Sequence, residues 1–484
     1  MSTSTDNVFH ARLLRELKSH SVEAPTYAHD TGIPLEFRGT LRRLDMLRPL
    51  LLAVWRCTMF RSFLTRAVTA VALATAFVSS GRISKGALCL AGAVFGTDFF
   101  GRFGGVHFLE VQTEAGFYIS QSGKAATRNA RIQKRMQAWL SFFKPCSWIS
   151  SGEIATLIPF ICNPNRGRHL PYVRLWMTAL DGERFAADWV FPSAGFDSAH
   201  PVVFLLTGLA PSKHWTEAGG FIADAAWHLT TRAKMTVVVL VARGTMDTKV
   251  EKNPFHGARV QEFRQLVETA NAIFESASKT SKPPCFAAGY SMGGIILANY
   301  CGVYGGDTKL KGAIHFSGLH DSVANTKFEY SVATWQAYLT YNLKTTFLTG
   351  RIVEESLKRG VNVDRILSRH CESVVDFDKD FVAVYNGYSS HVEYYKDMSV
   401  AHEGKWKKVD VPLLSVSARE DPITHCDALC AKTFSSQNEH MMFLVTERGG
   451  HMGWPWGFFP WRRGWDFCNE AIVVFVDAVL AVDE

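Results

Sequence analysis

The sequence predicts an α/β protein: a mostly parallel sheet covered by helices on both faces. Three observations carry that expectation. From about residue 170, continuous β-branched runs alternate with segments of helical apolar spacing. A Gly-rich turn sits between one such run and the helix after it. Hydrophobic residues make up 47% of the chain and charged residues 20%, which suits a globular protein and excludes a mainly disordered one. The length, 484 residues, exceeds what a single core usually organises and predicts more than one structural unit.

The elements follow in order. Residues 173–180 and 184–190 read as antiparallel strands around the Asp181-Gly182 turn. Residues 202–206 read as a short buried strand and 221–231 as a helix. A second apolar strand at 237–241 precedes an amphipathic helix at 260–276. Residues 285–288 are a strand, 292–303 a helix and 311–316 another strand. The alternation then breaks. Residues 318–408 are mainly helical and rich in aromatics and charges, the pattern of a lid inserted between late strands. Strands resume at 411–418 and 441–445, and 470–479 is the last helix.

The first 145 residues are read as a separate basic arm, and 146–484 as the catalytic domain with its lid. Of the net charge of +7, residues 1–170 carry +11 and the rest −4. A basic arm on a near-neutral body fits an anionic membrane surface better than nucleic acid. Zinc-finger spacing and a basic stripe interleaved with aromatics are both missing, so no nucleic-acid partner is expected. Around residues 50–100, Arg48, Arg56, Arg61 and Arg66 punctuate an apolar run, and residues 67–81 carry no charge. Three readings stay open: one span with Arg66 snorkelling, a re-entrant or interfacial hairpin, or two buried helices. A single-pass or monotopic membrane protein is the expectation, with the endoplasmic reticulum as one compartment that fits.

Gly289-Tyr290-Ser291-Met292-Gly293 is a G-x-S-x-G motif with an apolar strand before it and a helix at once after it. Such an elbow exposes a strained serine at the sheet edge, and Gly289 and Gly293 clear space for it. A serine nucleophile needs a base, and the base needs an orienting carboxylate. Asp421 follows a late strand and precedes Pro422; Glu420 and Asp427 are its rivals. His451 follows the last strand within Gly449-Gly450-His451-Met452-Gly453, which places it last in the order Ser, acid, His. An oxyanion needs two backbone N–H groups. Met292, directly after the nucleophile, and Leu209, in the loop that ends the 202–206 strand, are the candidates.

At these residues the chain resembles the YheT-like group of α/β-hydrolase-domain proteins, which includes membrane-anchored eukaryotic lipid esterases. The resemblance covers roughly residues 145–480. It rests on WISSGEIATL, on the Asp181-Gly182 turn before Ala187-Asp188-Trp189, on LLTGLAP and on Arg243-Gly244. In the lid it rests on Asp376-Phe377-Asp378, Gly387-Tyr388 and Tyr394-Tyr395, and beyond it on VPLLSVSAREDP and RGGHMGW. The chain departs from the group's pattern at Glu153, Ala155 and Val241. The resemblance implies a carboxylic-ester hydrolase acting on lipids or phospholipids, with no metal and no organic cofactor. Cys426 and Cys430 beside His425 lack a second ligand pair, and the ten cysteines read as buried thiols.

Two rivals remain. Acyl transfer would use the same triad, but the His-x4-Asp motif of some relatives is missing here. A non-catalytic binding protein on this fold would normally have lost a triad member. The aromatic stretch 454–461 (WPWGFFPW) reads as an acyl-pocket wall, a membrane-interface surface or a packed corner.

Overall fold

The computed structural model describes residues 3–26, 111–149, 151–162, 166–209, 214–277, 282–368 and 370–481. Nine strands form one sheet: β1 Gly116–Tyr118, β2 Val173–Thr178, β3 Arg184–Val190, β4 Val202–Leu206, β5 Thr236–Val241, β6 Cys285–Tyr290, β7 Gly312–Phe316, β8 Leu413–Ala418 and β9 Met441–Thr446. Their order across the sheet is β1-β9-β8-β7-β6-β4-β5-β3-β2. Neighbours from β9 to β5 run parallel, while β1, β3 and β2 pair antiparallel at the two margins. This is the α/β-hydrolase sheet.

The strands are apolar because both faces are covered. In β4, Val202, Phe204 and Leu206 join one buried cluster while Val203 and Leu205 join the other. β5 divides in the same way, with Val238 and Leu240 against Val237, Val239 and Val241. A strand that points alternate side chains into two dry layers cannot show polar alternation. The helices that supply those layers include α1 Thr3–His20, α2 Ala126–Leu140, α3 Gly152–Ile161, α4 Phe221–Thr231, α5 Gln261–Ala277, α6 Met292–Tyr304 and α7 Asp466–Leu480. α1 and α5 lie together on the first face, with Leu13 and Leu17 fully buried in the same apolar cluster as Phe263 and Phe274. α2, α4 and α7 cover the second face.

Two results depart from the sequence expectation. The body begins before residue 146. β1 pairs with β9, in the register Gly116 to Val445, and the Trp139 ring of α2 packs tilted against Phe467 of α7, centroids 4.9 Å apart. α1 also packs on the sheet layer, although it lies in the segment read as an arm. Between β7 and β8 the described chain is entirely helices and loops, among them Trp335–Phe347, Gly350–Lys358 and His391–Met398. These close a separate apolar cluster around Phe347, Leu348, Phe377, Phe381 and Tyr394. The apolar segment at residues 50–100 lies outside the described residues. Among the described residues, no helix is long and apolar enough to cross a membrane.

One buried polar cluster links β7 and β8. His315 and His320 are both fully buried, with their Nε2 atoms 3.1 Å apart, and Ser415 Oγ lies 3.1 Å from His320 Nε2. Burial pushes both imidazoles down, His315 to about 3 from an ordinary 6.5. Well above pH 6.5 they are neutral whether folded or not. As pH falls below that value, the unfolded chain binds protons that the folded one refuses. Stability is therefore expected to fall by up to about 1.4 kcal/mol per pH unit for each group. Urea midpoints should be lower at pH 5 than at pH 7.5; equal midpoints would exclude this coupling.

Candidate active site

β6 ends at Tyr290, and Ser291 turns the chain directly into α6. Ser291 adopts φ 52° and ψ −117°, a conformation costing of order 1–3 kcal/mol for a non-glycine residue. The surroundings hold it there. The Ser291 N–H donates to Phe316 O of β7 at 2.9 Å, and its carbonyl accepts from Gly294 N at 2.9 Å and Ile295 N at 3.1 Å. Gly293 must be glycine for a steric reason: a Cβ there would lie 2.3 Å from Leu206 O and 2.4 Å from Thr207 O. Both obstacles are backbone. Gly293→Ala is expected to displace the β4 loop or the elbow and to cost about 1–3 kcal/mol of stability, together with most of the activity. Thermal melts and ester turnover measured side by side check this, and wild-type behaviour in both would contradict the geometry.

Asp421 lies three residues past β8 and His451 five past β9, so both emerge at the C-terminal edge of the sheet where β6 delivers Ser291. His451 Nε2 is 2.7 Å from Ser291 Oγ. Its Nδ1 is 2.9 Å from Asp421 Oδ2 and 3.1 Å from Oδ1. With the carboxylate beside Nδ1, the neutral ring carries its proton there and leaves Nε2 free to accept from the serine. Asp421 is itself anchored. Its Oδ1 accepts from Ile423 N and Thr424 N, both at 2.9 Å, and its Oδ2 accepts from Thr424 Oγ1 at 2.8 Å. Burial alone would raise its pKa. The charge and hydrogen bond of His451, with the two N–H donors, outweigh that and hold it below the ordinary carboxyl value. Asp421 thus stays ionised although only 3% exposed.

The rival acids are engaged elsewhere. Asp427 accepts from Gln112 N at 3.0 Å and Thr113 N at 2.7 Å, which ties the segment before β1 to the body. The Glu420 main chain lies against Gly152, where a Cβ would meet Glu420 O at 1.5 Å. An added Cβ at Gly208 would sit 3.2 Å from Ser291 Cβ, so the Gly208-Leu209 turn passes close to Ser291, and Met292 opens α6 directly after that serine.

Sequence reasoning missed the residues that position His451. Thr156 of α3 accepts the His451 N–H at 2.8 Å and donates to Gly152 O at 2.6 Å. Gly450 allows that contact, because a Cβ there would fall 2.3 Å from Gly152 O. Ser317 Oγ accepts from Met452 N at 2.9 Å, and Thr424 Oγ1 lies 3.3 Å from Ser317 O. One hydroxyl on each side therefore fixes the histidine loop. The signal for Thr156 was present in WISSGEIATL, but only as a pattern without a role. Glu153, where the chain departs from that pattern, is buried and accepts from Tyr330 OH of the helical insertion. This joins α3 to the base of the lid segment, where Phe328, Tyr330 and Trp335 pack with Leu157.

The mostly parallel sheet and the serine raised at its C-terminal edge define an α/β-hydrolase, and the protein is an enzyme of the carboxylic ester hydrolase class. Residues 216–452 match the family model described as Serine aminopeptidase, S33. Phospholipase ABHD3 of Bos taurus is 25% identical over 414 residues, spanning 77% of this chain and 94% of the bovine protein. Its Homo sapiens counterpart is 26% identical over 353 residues, 70% of this chain and 79% of that protein. A monoacylglycerol lipase of Saccharomyces cerevisiae is 23% identical over 273 residues, 54% of this chain and 57% of its own length. Among solved structures, an esterase of Pyrococcus furiosus aligns with 64% of this chain and 92% of its own, at 12% identity and a TM-score of 0.38. The chain is thus similar to the ABHD3 phospholipases over most of its length and to the S33 model over residues 216–452.

Proposed function

We propose that this protein is a serine esterase that removes acyl chains from lipids, with phospholipids as the leading substrate class. The observation that carries the reading is the His451 ring, bonded on one side to Ser291 Oγ at 2.7 Å and on the other to Asp421 at 2.9 Å. His451 takes the serine proton as Oγ attacks the ester carbonyl. Asp421 stabilises the imidazolium without becoming protonated. The Leu209 and Met292 N–H groups hold the oxyanion. His451 then protonates the departing alcohol or lysolipid, leaving the acyl group on Ser291. Water, deprotonated by the same ring, attacks that ester and releases the fatty acid.

Phospholipid is favoured because the ABHD3 relatives, which are named phospholipases, align over most of this chain. The helical segment 318–408 serves as the lid that shapes the acyl site. The basic N-terminal region with its apolar stretch at 50–100 associates with an anionic membrane and brings the enzyme to its substrate. The test uses the full chain with phosphatidylcholine carrying different acyl groups at its two positions. Mass spectrometry should show one free fatty acid and the complementary lysolipid in equal amounts. Absence of both, with a short-chain ester still cleaved, would confine the enzyme to non-lipid esters.

A further inference from the structure

The stretch 454–461 divides in the fold. Trp454 and Trp456 are buried in the layer over α7, but Phe458, Phe459 and Trp461 are 65%, 46% and 40% exposed. They do not stand alone. Residues 142–148 run antiparallel beside them: Cys146 N donates to Pro455 O at 3.0 Å, Gly457 N to Lys144 O at 2.7 Å, and Trp148 Nε1 to Phe458 O at 2.8 Å. The pairing sets Phe142, 72% exposed, on the same corner, and the Trp148 and Trp461 rings lie 6.3 Å apart. An exposed aromatic cluster of this kind on a folded domain marks a contact surface.

Cations predominate on its two strands, with Asp466, Glu470 and Asp477 of α7 behind them. Residues 115–152 contain no Asp or Glu, and neither do residues 448–465. Lys144, Arg462 and Arg463 are exposed at the corner; Arg462 lies over the Phe459 ring at 5.1 Å and Arg463 over Trp456 at 4.9 Å, though Arg463 is also 3.8 Å from Asp466. Exposed Arg131, Lys134 and Arg135 follow down α2. Arg135 is about 10 Å from Phe142 at helical rise, close to one screening length at physiological salt.

Both strands of the corner lead to the base. Residues 142–148 run into α3, whose Thr156 holds the His451 amide, and residues 455–463 follow His451 directly. We propose that this corner docks the catalytic domain on an anionic bilayer, aromatic rings at headgroup level and cations on the lipid phosphates, beside the edge of the sheet where Ser291 acts. Exposed aromatics rimmed by cations are what such an interface selects. A second copy fits poorly, because a two-fold contact would set the same cations against one another. The chain's own residues 27–110 are also net basic. The proposal rests on the lipid reading above and adds a contact borne by the folded domain, separate from the apolar stretch at 50–100.

The experiment uses the full chain, vesicles of phosphatidylcholine with or without phosphatidylserine, and p-nitrophenyl butyrate as a soluble ester. Phe458→Ala/Phe459→Ala/Trp461→Ala is expected to hydrolyse vesicle lipid at least about tenfold more slowly while cleaving the soluble ester within about twofold of wild type. Lys144→Glu/Arg462→Glu should lose the stimulation by phosphatidylserine. An unchanged vesicle rate overturns the proposal. So does an equal loss on both substrates, or a wild-type dimer in sedimentation that the aromatic variant dissociates. A second readout is independent of hydrolysis: emission of Trp461, taken as wild type minus Trp461→Phe, quenched by brominated phosphatidylcholine. Without quenching, the docking fails even if lipid is cleaved. Quenching without lipid cleavage keeps the docking and removes the proposed substrate.

Discussion

Ser291→Ala is expected to lower ester turnover by roughly 10³–10⁶-fold, down to what binding and the oxyanion amides alone supply. The size follows from chemistry, because alanine leaves no atom to carry the acyl group. The fold should survive. Ser291 Oγ bonds to His451 Nε2, while the elbow is held by main-chain bonds to Phe316, Gly294 and Ile295 that alanine keeps. Alanine also carries the same positive-φ cost as serine. The measurement pairs turnover with thermal melts and with labelling by a fluorophosphonate probe, which traps an activated serine. Labelling at the wild-type rate in a folded variant would move the nucleophile elsewhere.

Asp421→Asn is expected to cost about 10⁴-fold in kcat. The amide fits the carboxylate's space, but its NH₂ group donates where the imidazole Nδ1–H must also donate. Turning the amide to present its oxygen to the ring sets NH₂ against Ile423 N, Thr424 N or Thr424 Oγ1, which now donate to the carboxylate. The ring then settles with its proton on Nε2, facing Ser291, and loses its capacity as a base. Steady-state rates of Asp421→Asn and of Glu420→Gln decide between the neighbours. A loss below tenfold for Asp421, with a large loss for Glu420, would reverse the assignment.

The strands and the elbow were legible for local reasons. A buried parallel strand must be a continuous apolar run, and an elbow needs small residues within two positions of its serine. Both constraints act between neighbours in the chain. β1 escaped notice because three residues, Gly116–Tyr118, carry no periodicity, and they are held as a strand by β9, more than three hundred residues away. The same holds for α2. Its apolar stripe of Ile132, Met136 and Trp139 reads as a basic arm until α7 lies against it. Thr156, Ser317 and Glu153 are ordinary residues in sequence, and their importance comes from which loops they touch.

The sequence by itself determined the alternation of buried strands and helices and the strand-to-helix turn at Ser291, because each depends on short-range sterics between neighbours in the chain. The tertiary structure alone decided three further things. It set which of Glu420, Asp421 and Asp427 faces His451, since that turns on how loops after separate strands cross. It showed which hydroxyls hold the histidine loop. And it divided the aromatic stretch, since burial of Trp454 and exposure of Phe458 depend on α7 and residues 142–148 packing from distant parts of the chain. Hydrophobicity is carried by each residue, but the surface that buries it is supplied by the rest of the fold.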